Sequence, residues 1–141
     1  MTIRLFLFDL DGTLVDTAPD LALAVNMVRT ARGIAPLPEE ELRPYASRGA
    51  PGLLGKAMGI GRDDPAFLAL RTEFLDNCAA QMTDRSRPFE GVPVMLEALR
   101  AAGIRTGVVT NKVEHLALRL TDNLGLDGQL DVVLGSDSEG C

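Results

Sequence analysis

Apolar positions along this chain follow two patterns, and the pattern changes twice. Near the N-terminus, Ile3 to Phe8 is a short apolar run rich in Leu, Ile and Phe. Such a run predicts a buried strand rather than a helix. From Thr17 the spacing becomes helical: Leu21, Val25 and Val28 follow one face to about Ala31, and Gly33 supplies the stop. Thr17 is placed to cap that helix, Pro19 suits its first turn, and Asp20 follows three residues after the cap. Pro38-Glu39-Glu40-Glu41 reads as a second helix start, with acids favoured by the dipole. Ser47 to Gly61 is glycine-rich and predicts a loop leading into a brief helix. Pro65 opens a longer helix with Phe67, Leu68, Phe74, Leu75, Cys78 and Met82 on its apolar face, and Thr83 to Pro88 is a polar break.

At Phe89 the pattern changes again. Gly91-Val92-Pro93 starts a helix that Gly103 ends, and Ile104 to Val109 is a β-branched strand. Another helix runs from Glu114 to about Leu124 and stops at Gly125. Asp131-Val132-Val133-Leu134 is a last short strand. This alternation predicts an α/β fold with a doubly wound, parallel, Rossmann-like sheet. The core comprises residues 1–15 and 89–141, and residues 16–88 form an inserted all-helical module.

Composition narrows the function. At 141 residues and 46% hydrophobic, the chain has enough apolar material for one packed domain, or a small core with an insert. A formal net charge of −6 argues against nucleic acid and anionic membranes as main partners. It leaves a phosphorylated substrate open, because a local cation or a helix N-terminus can dominate a site. Cys78 and Cys141 fall in no metal or redox spacing, which fits two reduced thiols in a cytoplasmic protein. The first apolar run, broken by Arg4 and Asp9, is too short for a signal peptide or a membrane span.

The chemistry concentrates where the first strand ends, at Asp9-Leu10-Asp11-Gly12-Thr13. Carboxylates at i and i+2 of a strand share a side, so Asp9 and Asp11 are aimed at one small volume. Two close carboxylates repel unless a cation lies between them, and Mg²⁺ is the usual one. Gly12 allows a sharp turn, and Thr13 adds a hydroxyl. A second candidate, Val108-Val109-Thr110-Asn111-Lys112, ends the next core strand just before a helix. Open α/β sheets bind ligands at that edge, where a hydroxyl and a free N–H suit phosphate oxygens. His115, in the helix that follows, reads as an ordinary surface residue.

The first stretch resembles the opening signature of the haloacid dehalogenase superfamily, whose phosphatases carry Asp-x-Asp-Gly-Thr after a buried strand. By composition alone, four fixed residues would match by chance in about one chain per thousand. Thr110 is similar to that superfamily's second motif, and Val109-Thr110-Asn111-Lys112 has the form seen in phosphoglycolate phosphatases. The stretches Phe67 to Leu75 and Phe89-Glu90-Gly91 also look similar to N-acetylmuramic acid 6-phosphate phosphatases. The resemblance implies a Mg²⁺-dependent phosphatase with a helical cap, acting on a small phosphorylated metabolite. It favours 2-phosphoglycolate, with N-acetylmuramic acid 6-phosphate as the alternative. It further implies Asp9 as nucleophile and Asp11 as general acid–base, both at the Mg²⁺ site. Thr110, Asn111 and Gly12 would bind the substrate phosphate. Arg48 and Gly49 lie where related caps reach the substrate, so Arg48 is either a substrate contact or an ordinary solvated charge.

Members of the superfamily continue to a lysine and then to an acidic pair that completes the metal site. Here the sequence ends Gly135-Ser136-Asp137-Ser138-Glu139-Gly140-Cys141 without them. Asp137 and Glu139 imitate the acidic pair only superficially, and Lys112 belongs to the second motif. The expectation is therefore an incomplete core and an inactive or impaired chain. Its first strand becomes an exposed apolar edge prone to self-association. A non-catalytic phosphate- or protein-binding remnant stays open as a second reading. A phospho-acceptor domain of receiver type is disfavoured, because its acceptor lies on a later strand.

Overall fold

A computed structural model describes residues 2–81 and 84–138. Met82 and Thr83, assigned above to a helix face and a polar break, lie outside the described residues, as do Glu139 and Cys141. The chain divides into two compact units, Met1–Asp16 with Arg87–Cys141, and Thr17–Ser86. In chain order the elements begin with β1 (Leu5–Phe8), β2 (Val15–Asp16), α1 (Ala18–Thr30) and α2 (Glu39–Leu42). A 3-10 turn (Arg43–Arg48), α3 (Gly49–Met58) and α4 (Phe67–Gln81) follow. The chain then forms β3 (Arg87–Pro88), α5 (Val92–Ala101), β4 (Arg105–Val109), α6 (Glu114–Asn123) and β5 (Val132–Leu134).

The first unit is α/β. Its strands β1, β4 and β5 form a parallel sheet in the order β1-β4-β5. Leu5 pairs with Arg105 and Phe8 with Val108, and Val109 pairs with Leu134. Parallel neighbours need a crossover, and α6 supplies the one from β4 to β5. Leu10, Leu14, Leu96, Val108, Leu116 and Leu120 are almost fully buried. The expected stops hold: Gly33, Gly103 and Gly125 follow α1, α5 and α6 at positive φ.

Three expectations are corrected. Strand β1 is the exposed apolar edge expected of an incomplete core, and not the buried strand that its apolar run alone predicts: Leu5, Phe6 and Leu7 are 47%, 36% and 54% exposed. The reason is topological, since among the described residues β1 pairs with β4 on one side only. The glycine-rich stretch after Ser47 is mostly helix, because Leu53, Leu54 and Ala57 are buried and hold α3 against its low intrinsic propensity. Thr17 makes no side-chain capping bond, although it precedes α1. A feature too short to read from sequence is the antiparallel pairing of β2 with β3, Val15 opposite Pro88 and Asp16 opposite Arg87. The Phe89 N–H extends it by donating to the Leu14 carbonyl at 3.0 Å.

The second unit is all-helical, with Val25, Val28, Leu42, Phe67 and Phe74 buried. Arg32 bonds both carboxylate oxygens of Glu73, at 3.0 and 2.8 Å. The hydrogen bond from that guanidinium holds Glu73 below the usual carboxylate range. Its small stabilisation is therefore present at neutral pH and is lost as pH falls through the lowered value. Asp20 has a larger role. Buried in α1, it accepts hydrogen bonds from the Arg85 N–H at 3.1 Å and from the Ser86 hydroxyl at 2.6 Å. These bonds tie the unit's last residues to its first helix. Replacing Asp20 by Asn keeps the shape but removes the charge, and should lower unfolding free energy by about 1–2 kcal/mol. Urea denaturation checks this, and an unchanged midpoint would count against the tie.

Candidate active site

Strand pairing ends at Phe8, and from there the backbone winds around Leu10, which is fully buried. The Leu10 carbonyl accepts from the N–H groups of Thr13, Leu14 and Val15 at 3.0–3.1 Å. Gly12 stands at φ 78°, a conformation that side chains with a Cβ rarely adopt, so glycine is required at this turn. Its N–H donates to the Val15 carbonyl at 2.9 Å. Gly12 thus contributes the turn, while its N–H is engaged within it.

This turn places Asp9 and Asp11 in different surroundings. Asp9 is exposed, and its Oδ1 accepts from the Leu10 N–H at 2.8 Å. Asp11 is buried, and its Oδ1 lies 3.2 Å from the Lys112 Nζ, with both side chains only 9% exposed. Asp9 lies just past the last β1–β4 pair, and Asp11 forms an isolated bridge with Val15.

The second candidate stretch sits at the matching end of β4. Since β1 and β4 are parallel neighbours, Asp9 and Thr110 leave the sheet at the same edge. Thr110 is buried, and its Oγ1 accepts from the Lys112 N–H at 3.1 Å, which leaves the hydroxyl proton as a donor. Asn111 is exposed beside it. Lys112 is held from behind by the segment after β5, where the Ser136 N–H donates to its carbonyl at 2.9 Å. In the same segment, Asp137 Oδ1 accepts from the Glu114 N–H at 2.7 Å and so serves the N-terminus of α6. Asp137 therefore acts here as a helix cap.

Arg48 and Gly49 belong to the helical unit. Arg48 is exposed, with its guanidinium carbon 5.3 Å from the Tyr45 ring centroid, a cation–π distance. Gly49 opens α3 at φ 68°. His115 is exposed on α6, as expected.

The sequence reading undervalued Lys112. A cation directly before a helix N-terminus opposes the macrodipole by only about 0.3–1 kcal/mol, a hint that does not name its anionic partner. Asp11 is that partner. Removing one member of such a buried pair commonly costs about 3–5 kcal/mol, because the other charge is left unpaired.

Could this edge hold Mg²⁺? Among the described residues, no three His, Cys, Asp or Glu side chains cluster as metal ligands. Mg²⁺ is, however, commonly held by one or two carboxylates, with water and substrate phosphate oxygens completing its shell. The exposed Asp9 carboxylate fits that chemistry. Asp11 faces an ammonium, so Asp9 is the side chain that would take the ion.

Residues 3–141 match a hydrolase family, the haloacid dehalogenase-like hydrolases. The chain is 40% identical over 125 residues to an N-acetylmuramic acid 6-phosphate phosphatase of Pseudomonas aeruginosa, covering 89% of this chain and 55% of that protein. It is 42% identical over 135 residues to a phosphoglycolate phosphatase of Xylella fastidiosa, covering 96% of this chain and 58% of that one. A solved structure from Haemophilus somnus, described as a predicted phosphoglycolate phosphatase, superposes with a TM-score of 0.84 at 28% identity. That match covers 99% of this chain and 65% of the other. The chain thus spans a little over half the length of the two curated relatives. Among the described residues, no helix is long and apolar enough to cross a membrane.

Proposed function

The chain belongs to the haloacid dehalogenase-like hydrolase family, and from that premise we propose that it carries the nucleophile of a phosphomonoesterase. The substrate is a small phosphorylated metabolite, with 2-phosphoglycolate the first choice. The observation that supports this most is the Asp11–Lys112 contact, which joins the turn after β1 to the turn after β4. Both motifs therefore meet at one sheet edge.

Asp9, the exposed carboxylate, attacks phosphorus. A new O–P bond forms as the bond to the substrate's alcohol oxygen breaks. Asp11 enters the cycle protonated, gives that oxygen its proton and becomes the carboxylate, then regains a proton from the water that attacks the aspartyl phosphate. The second step releases inorganic phosphate and returns Asp9 to its carboxylate form. The Thr110 hydroxyl and the Asn111 N–H bind oxygens of the transferring group. Mg²⁺, held by Asp9, would neutralise charge between nucleophile and phosphate.

Relatives of both names stand at 40–42% identity, so substrate choice is decided by assay. In the intact protein with Mg²⁺, kcat/KM for 2-phosphoglycolate should exceed that for N-acetylmuramic acid 6-phosphate by at least about tenfold, a discrimination of about 1.4 kcal/mol. The reverse order would move the assignment to the sugar phosphate. Phosphate binding without turnover of either ester would leave the binding-remnant reading.

A further inference from the structure

Resting on the phosphomonoesterase reading, we propose that Lys112 is a positioning residue for Asp11, fixing the orientation of that carboxylate through the 3.2 Å Nζ–Oδ1 contact. A lysine usually keeps its ammonium in water and lays only its stem on the protein. Here the whole side chain is 9% exposed and its terminus meets a buried carboxylate. Desolvating an ammonium without a compensating partner is unfavourable, so this placement requires the pair.

The lysine's own backbone is held on several sides. Its N–H donates to Thr110 Oγ1, and its carbonyl accepts from the Ser136 N–H. Gly135 packs so tightly behind it that an added Cβ would lie 2.6 Å from the Lys112 carbonyl oxygen and 2.4 Å from the Glu114 nitrogen. A fixed backbone with a buried side chain leaves the ammonium few places to go. The backbone at Asp11 is held as well, by its bridge to Val15 within the Gly12 turn, so both ends of the contact stand on fixed backbone. Engaging Oδ1 restricts rotation about the Cβ–Cγ bond and so holds the plane of the carboxylate. Proton transfer to a leaving oxygen depends on such alignment, and a misplacement of about 1 Å can cost about 10²-fold in rate.

The same lysine also helps to order the second motif. Its N–H orients the Thr110 hydroxyl while its ammonium orients Asp11, so one residue links a phosphate-binding group to the general acid–base group.

The test uses the intact protein and two independent readouts. In steady-state hydrolysis, Lys112→Met should lower kcat by about 10- to 100-fold while KM stays within about threefold. Lys112→Arg should recover part of the loss. In metal-free buffer, urea denaturation of Lys112→Met, Asp11→Asn and the double variant should be non-additive, the double losing less than the sum. A raised KM with kcat held would make Lys112 a phosphate ligand and overturn the positioning role. An unchanged kcat beside coupled denaturation would make the pair purely structural, and additive denaturation would deny the pair itself. If Asp9→Asn retains turnover, the phosphomonoesterase reading fails and this proposal goes with it. If Asp9 is essential and Lys112→Met is fully active, only the positioning role fails.

Discussion

Asp9→Asn is expected to reduce phosphate-ester hydrolysis by about 10⁴-fold or more, the scale seen when a covalent nucleophile is removed. Asparagine is nearly isosteric, and its carbonyl can still accept from the Leu10 N–H, the hydrogen bond that Asp9 makes at 2.8 Å. Asp9 is also exposed, so losing its charge leaves no buried partner unpaired. The unfolding midpoint should therefore stay close to that of the parent while turnover collapses. This separation of activity from stability distinguishes Asp9 from Asp11. Asp11→Asn removes the partner of a buried ammonium and should affect both quantities, with an activity loss nearer the 10²–10⁴ expected of a general acid–base group. Steady-state kinetics and urea denaturation on the same preparations check both statements. Substantial activity in Asp9→Asn would remove Asp9 as nucleophile.

The second large effect should come from Gly135→Ala. Its Cβ would stand 2.4 Å from the Glu114 nitrogen, 2.5 Å from the Glu114 Cα and 2.6 Å from the Lys112 carbonyl oxygen. All three are backbone atoms, so no rotamer change relieves the clash, and the segment after β5 must move away. That displacement strains the Ser136–Lys112 bond, the bond from the Gly135 N–H to Ser138 Oγ and the Asp137 cap on α6. A destabilisation of about 3 kcal/mol is expected, the upper part of the range for overpacking. Gly128→Ala is the matched control, because nothing lies within 4 Å of a Cβ there. Equal midpoints for the two variants in urea would mean the close packing at Gly135 is wrong.

How much of this was legible beforehand varied with the range of the interactions. Element type and the turn around Gly12 could be read because period, glycine and proline act locally. Thr110 could be read because its place after an apolar β-branched run marks a strand end. Two features could not be read, each for a definite reason, and a third only in part. The exposed edge at β1 was expected only through the family resemblance, because spacing along the chain does not encode sheet order. The helix α3 forms in a glycine-rich stretch because tertiary burial of Leu53 and Leu54 outweighs propensity. The roles of Lys112 and Asp137 depend on contacts with residues distant in sequence, Asp11 in one case and Glu114 in the other. Of the candidate site, the motif residues of the α/β unit were in view, while the contact that joins its two turns was not.

The pairing of Leu5 with Arg105 carries a consequence for how the molecule is made. It closes a loop of roughly a hundred residues, whereas the helical unit is one contiguous stretch, Thr17–Ser86. Loop closure over such a distance is entropically unfavourable, and non-local strand pairing is slow. During synthesis, β1 leaves the ribosome before β4 and must wait while the entire helical unit emerges before its partner strand exists. Leu5, Phe6 and Leu7 spend that interval unpaired, an apolar stretch that a chaperone can shield until β4 emerges.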